Sequence, residues 1–433
     1  MLTVITALLV SITALQRFGL PVGGTQLSLS VLVALGGLGY LLYHGDVVEN
    51  RGATRIFVLA MAACFLCAGI VLFQTGYGGI TSLVYLPVIW VAFAFRLHAS
   101  RQHLYERVLR RYEAIMLVLA GIGVAQTVSQ ALGLWTYVDV VLQNVPETFL
   151  FTGYNTSYPI EYGSPIIKAN GFVFLEPSIY AQFLAMALLS VLVRRASWWR
   201  VLLLGVALVC TISGTGLLFA AFGVLLLALR RGGRWTARIV VAVVVAVPVA
   251  LATPFGSIIA ERADETSNTN SSGSLRFVQP YQRILETWGE DPLSVLTGDG
   301  AGRADALADQ IFRATGLPIN FSGLAKVVLE YGVPASVLFC VFVGLALVRR
   351  APAPTLAWAG VFANAFLTGS LLQPQVLYLM LPLVSLFIGY PYEKALGSRR
   401  SEPAAEVVDA GVSPSAAPAS VTIRPASPNG LLG

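Results

Sequence analysis

Residues 56–74 read IFVLAMAACFLCAGIVLFQ, and from Ile56 to Phe73 they carry no charge and no proline. A helix of that length covers about 28 Å, close to the thickness of a bilayer's hydrocarbon core. It offers no polar face to water, so it reads as a membrane-crossing helix. Runs of the same kind recur along the 433 residues, which are 56% hydrophobic and only 12% charged. A soluble fold could not hide so much apolar surface, and no short alternating segments suggest a β-barrel. The fold class is therefore an all-α polytopic membrane protein. Cys64 and Cys67 have the spacing of a redox pair, but they sit inside the apolar run, where burial suppresses the thiolate.

Twelve spans are expected, near 2–16, 25–43, 56–74, 80–95, 112–134, 176–193, 201–213, 215–229, 239–258, 326–348, 355–372 and 376–390. Met1 to Leu15 lacks a basic start and a small-residue cleavage site, so it reads as the first span rather than a signal peptide. With twelve spans, the arginine clusters at Arg96–Arg111, Arg194–Arg200, Arg230–Arg238 and Arg349–Arg350, with Lys394, Arg399 and Arg400, all fall on one side. Basic residues concentrate in cytoplasmic loops. That makes this side, and both termini, cytoplasmic in an inner membrane. The net charge of +6 has the same origin and does not indicate nucleic acid. Residues 1–392 form one membrane domain, with outer loops at 135–175 and 260–324. Residues 393–433, rich in Ala, Pro and Ser, read as a disordered cytoplasmic tail. Between Arg200 and Arg230 there is room only for two short helices, turning at Thr211-Ile212-Ser213-Gly214-Thr215-Gly216. That turn is either buried beside an active site or a plain hairpin at the outer surface.

The outer loops hold the chemistry. The first ends Asn170-Gly171-Phe172-Val173-Phe174-Leu175-Glu176-Pro177-Ser178, entering a span. Glu176 reads as a carboxylate capping that helix, as one held beside a substrate, or as both at once. Lys168 is either a cation for an anionic head group or a solvated side chain. The second loop carries Arg276 and Arg283, seven apart and on one face if their segment is a single helix, with Glu286 beyond. Pro280 stands against that helix. Then comes Gly298-Asp299-Gly300-Ala301-Gly302-Arg303, a tight turn whose amides could receive an anion. Glu330, one turn into the next span, is an ionisable group at membrane depth and hence a functional candidate. Arginines pair bidentately with phosphate, so such a cavity suits a lipid-linked diphosphate. The three histidines, His44, His98 and His103, fall in cytoplasmic loops, and no Gly-x-Ser-x-Gly elbow occurs. A zinc or serine hydrolase is thereby disfavoured.

The Asn170–Ser178 motif, Ser213-Gly214-Thr215-Gly216, the arginine-bearing late loop with Leu296–Gly302 and Asn320, and Leu329-Glu330-Tyr331-Gly332-Val333 together resemble the O-antigen polymerase and ligase superfamily. The likeness covers about residues 20 to 390. It implies a type C glycosyltransferase fold acting on sugars carried by undecaprenyl diphosphate, at the periplasmic face, with no metal or other cofactor. It also implies a chain-length regulator and a flippase as partners. The ligase branch characteristically has a histidine in the large outer loop; this loop has none, which favours the polymerase branch. On that reading Arg276 and Arg283, then Arg303 and Lys168, hold the diphosphate. Glu176, with Asp299 and Glu330 behind it, is the base or acceptor-positioning carboxylate. Transfer of finished glycan to another acceptor is the alternative within this chemistry. A precursor transporter is the alternative outside it, and would scatter charges through its spans.

Overall fold

The computed structural model describes residues 1–22, 25–151, 154–161, 163–232, 272–369 and 373–393. The expected span at 239–258, the start of the second outer loop and the tail beyond Glu393 lie outside the described residues.

The described chain is mostly helical. Helix α1 (Leu2–Ala14) leads into a hairpin of β1 (Gly19–Val22) and β2 (Thr25–Ser28), with Leu20 opposite Leu27. The polar Thr25-Gln26-Leu27-Ser28 thus pairs as a strand, and the expected span at 25–43 begins only at α2 (Leu29–Tyr43). β3 (Val47–Glu49) precedes α3 (Arg51–Thr75) and pairs antiparallel with β4 (Phe95–Leu97), which follows α4 (Ile80–Trp90). Then come α5 (Tyr105–Ala131), the short α6 (Val140–Asn144), α7 (Pro177–Arg194), α8 (Trp198–Cys210) and α9 (Gly214–Arg231). The late loop supplies α10 (Ser272–Phe277), α11 (Gln279–Glu290), α12 (Ser294–Thr297) and α13 (Arg303–Thr315). The chain closes with α14 (Gly323–Val343), α15 (Pro354–Phe362), α16 (Pro374–Leu377) and α17 (Met380–Leu383).

Among the described residues, five segments are long and apolar enough to cross a membrane: α3, Ala99–Ala131, α7, α9 and Gly323–Val348. Six shorter apolar helices occupy the other described span positions. A helix such as α1, with 13 residues, reaches about 20 Å, short of the roughly 30 Å hydrocarbon core. The expected last span is not one helix but α16, α17 and a 3₁₀ turn at Ser385–Phe387, with Pro382 removing a backbone donor midway.

The ends of the bundle differ. At one end the described arginines of the expected basic clusters gather, while Arg234, Arg238, Lys394, Arg399 and Arg400 lie outside the described residues. Arg101 Nε donates to Asp46 at 2.9 Å. Arg194 and Arg200 both pair with Glu113, a fully buried carboxylate on α5 that Ser190 also reaches. The backbone N–H of Gly389 donates to Arg350 O at 2.8 Å. At the other end, Arg17 grips Asp139 with two 2.7 Å bonds and donates to Phe172 O at 3.2 Å. This buried pair ties the first long loop to the end of α1. The turn at Thr211–Ser213 lies beneath that loop: Thr211 is buried, and the N–H of Ala169 donates to Cys210 O at 3.2 Å. Gly216 lets α9 approach α7 closely, since a Cβ there would stand 2.3 Å from that of Ala181. Thr211, Ser213 and Thr215 of this turn are buried.

Candidate active site

The site begins where a helix breaks. Pro334 lacks an N–H, so it cannot bond the carbonyl of Glu330 four residues back. At Gly332 the backbone turns to φ 71°, ψ 177°, a conformation open essentially to glycine alone. The carbonyls this frees are taken up by the glycine-rich turn: Asp299 N–H donates to Leu329 O at 2.8 Å and Gly300 N–H to Glu330 O at 3.1 Å. Contact is so close that a Cβ on Gly298 would stand 2.5 Å from Glu330 C, and one on Gly332 would stand 2.5 Å from Leu296 O. Gly79 N–H in turn donates to Ala301 O at 2.9 Å. The expectation of free amides awaiting an anion is therefore corrected at Asp299 and Gly300, whose donors are spent on α14.

Glu330 is fully buried in this joint. Its Oε1 accepts the N–H of Ala304 at 3.4 Å and so meets the first turn of α13, where donors lack helical partners. Its Oε2 is buried with no hydrogen-bond partner. Lys326, one turn back on the same helix face, is 6% exposed and donates to Asp305 Oδ2 at 2.6 Å. The joint thus anchors α13 and brings Asp305 to a buried ammonium.

Glu176 occupies the N-cap position of α7, yet its side chain makes no cap hydrogen bond. Its Oε2 instead accepts from Ser178 Oγ at 2.9 Å. Glu176 thus keeps the N-cap position without a capping hydrogen bond from its side chain, and Pro177 fills a position that needs no donor. Burial raises its pKa, while Ser178, the Arg276 guanidinium and the Asn155 amide act against that rise. Arg276, from α10, therefore stands within electrostatic reach of Glu176. Burial raises the Tyr158 phenol as well, and it also feels both Glu176 and Arg276. Tyr154 is raised by burial and then by Glu176 and Asp305, so it lies in range of both carboxylates. Asn170 holds the loop in place, donating to Tyr137 Oη and Thr156 O at 2.9 Å each.

Other candidates stand apart. Arg276 and Arg283 do not share a helix: α10 ends at Phe277, and Pro280 lies in the first turn of α11. Arg283 is half-exposed and pairs with Glu286 at 2.7 Å. Arg303 lies over the Tyr77 ring at 5.5 Å. Asp299 is raised to about 6 by burial, with Arg303 opposing and Asp291 adding to the rise. Lys168 sits at the base of a hairpin, its N–H donating to Tyr158 O at 2.8 Å. The sequence reading missed Lys326, Asp305, Tyr154 and Tyr158. Only Lys326 left a signal, its four-residue spacing from Glu330.

An apolar helical bundle with a polar, two-loop site at one end defines the class: a helical membrane protein. The chain belongs to the WcaD colanic acid polymerase family, whose model matches residues 59–388, well over half of its length. No curated protein matches it.

Proposed function

We propose that this protein joins oligosaccharide repeat units carried on a lipid diphosphate, at the outer face of the inner membrane, by direct displacement at the anomeric carbon. The reading is supported by the Glu176 carboxylate and the Arg276 guanidinium, from two loops far apart in sequence, lying within electrostatic reach of each other. A lipid diphosphate is a stable anion as it leaves, and fixed cations stabilise the charge it gains. Arg276 serves as the bidentate partner and Lys326, with its counter-ion Asp305, as the second cation. Glu176 takes the proton from the acceptor hydroxyl as the new glycosidic oxygen forms. One displacement inverts the anomeric centre. Glu330 and the turn at Asp299 act as the joint that positions α13 and Lys326. Arg283, Arg303 and Lys168 stand outside the reacting cluster and attract the anionic substrate to it. No step requires a metal or another cofactor.

The test is polymer formation from purified lipid-linked repeat units in proteoliposomes. Glu176→Gln and Arg276→Ala each lower the rate by about a hundredfold or more, with membrane insertion intact. Wild-type rate and polymer length in both variants would remove these residues from the mechanism. Lipid-linked substrate crossing the bilayer without polymer would favour a transporter.

A further inference from the structure

At the end of the bundle opposite this site, a cavity of about 600 Å³ opens between the start of α3, strands β3 and β4, and the end of the span Gly323–Val348. Arg51, Arg96, Arg349 and Arg350 line it, with Glu49 as the one carboxylate in its wall. Four guanidiniums against one carboxylate leave a formal charge of +3 around this space. None of the four arginines is in an ion pair among the described residues. The contrast with Arg101, Arg194 and Arg200 at the same end is plain, since each of those has a carboxylate.

Arg96 is fixed by the ladder: it lies opposite Val48, and its Nε is buried without a partner. The backbone of Gly52 and Ala53 lies in the same wall, at the N-terminal turn of the 25-residue α3, where Asn50 supplies no side-chain cap. Helix N-terminal amides add to the positive field and are not its source here. Leu345 and Ile388 make an apolar flank. The cavity lies where two candidate crossing helices end, the level at which lipid head groups sit.

We propose that this cavity binds a phosphate group, and that its occupant is the head group of an anionic phospholipid from the adjoining leaflet. Guanidiniums match phosphate oxygens in bidentate pairs, which the lone Glu49 cannot satisfy for four of them. The volume far exceeds inorganic phosphate and lies within the range of small-ligand sites. Two sources share this chemistry, a lipid phosphodiester and a soluble phosphate compound. The position at the helix ends favours the lipid. The proposal is independent of the polymerase reading.

The full-length protein, reconstituted in vesicles of equal phosphatidylglycerol and phosphatidylcholine, is extracted in mild detergent and its retained lipid is measured by native mass spectrometry. The wild type retains phosphatidylglycerol selectively. Combining Arg96→Gln with Arg349→Gln lowers that retention by about tenfold or more, as expected for lost charge-assisted bonds. Unchanged melting in neutral detergent shows that the variant is folded; Arg101→Gln is a second control and keeps selectivity. A parallel arm adds inorganic pyrophosphate. Stabilisation of wild type but not the variant by pyrophosphate, without lipid selectivity, supports the phosphate site with a soluble occupant and overturns the lipid assignment. Equal lipid retention and equal response to pyrophosphate in wild type and variant overturn the site altogether.

Discussion

Single residues set the electrostatics of the site end of the bundle. Asp299 has its carboxyl raised to about 6, so the folded state holds a proton that the unfolded chain has released. Stability from this group is present below about pH 4 and lost as pH rises towards 6. Asp299→Asn should flatten that part of the melting-temperature profile in detergent; an unchanged slope between pH 4 and 6 would show that Asp299 is not its source. Arg276 acts in the opposite sense on Glu176, opposing the rise that burial causes. A base must be deprotonated to work, so the residual activity of Arg276→Gln should have its acid limb at higher pH than the wild type. A limb at the same or lower pH would separate the two residues.

At the scale of elements, two joints hold the site end of the bundle together. Buried at 6% and 8% side-chain exposure, Arg17 and Asp139 clamp the first loop to α1. Asp139→Ala leaves a buried guanidinium unpaired and should cost about 3–5 kcal/mol. Thermal unfolding in detergent measures it; a loss within about 0.5 kcal/mol, the scale of an ordinary surface substitution, would show that the pair is not the clamp. The second joint is the break in α14. Pro334→Ala would restore the missing backbone N–H, which would compete for Glu330 O and release the turn at Gly300. A shift of about 1 Å near a reacting group can cost about a hundredfold, so polymer synthesis should fall steeply while α14 still inserts. Full activity would mean that the break does not position the site.

For the whole molecule, orientation is the decisive quantity. Asp309 is exposed on α13, and Arg107 is exposed among the arginine clusters at the opposite end. In intact cells, a membrane-impermeant thiol reagent should label Asp309→Cys and leave Arg107→Cys untouched until the membrane is opened. The reverse pattern would put the late loop in the cytoplasm and end the outer-face reading. Large apolar side chains such as Phe73, Leu66 and Leu229 are exposed on the long helices, as lipid-facing residues would be.

Much of this was legible from residue order, because a bilayer imposes a simple demand. Any segment inside it must be apolar and must satisfy its own backbone, so run length, charge gaps and arginine clusters disclosed the helical class and the one-sided gathering of the basic loops. The start of α7 at Glu176-Pro177 was likewise local, since a proline's missing donor costs nothing there. The tertiary structure alone decided which polar groups come within electrostatic reach of one another. Glu176 and Arg276 are a hundred positions apart, and no periodicity links them. Whether the amides of Asp299 and Gly300 stay free depends on carbonyls that Pro334 releases on a distant helix. Hydrogen bonds and charges act through space over a few ångströms, whereas sequence patterns report only what lies within a turn or two along the chain.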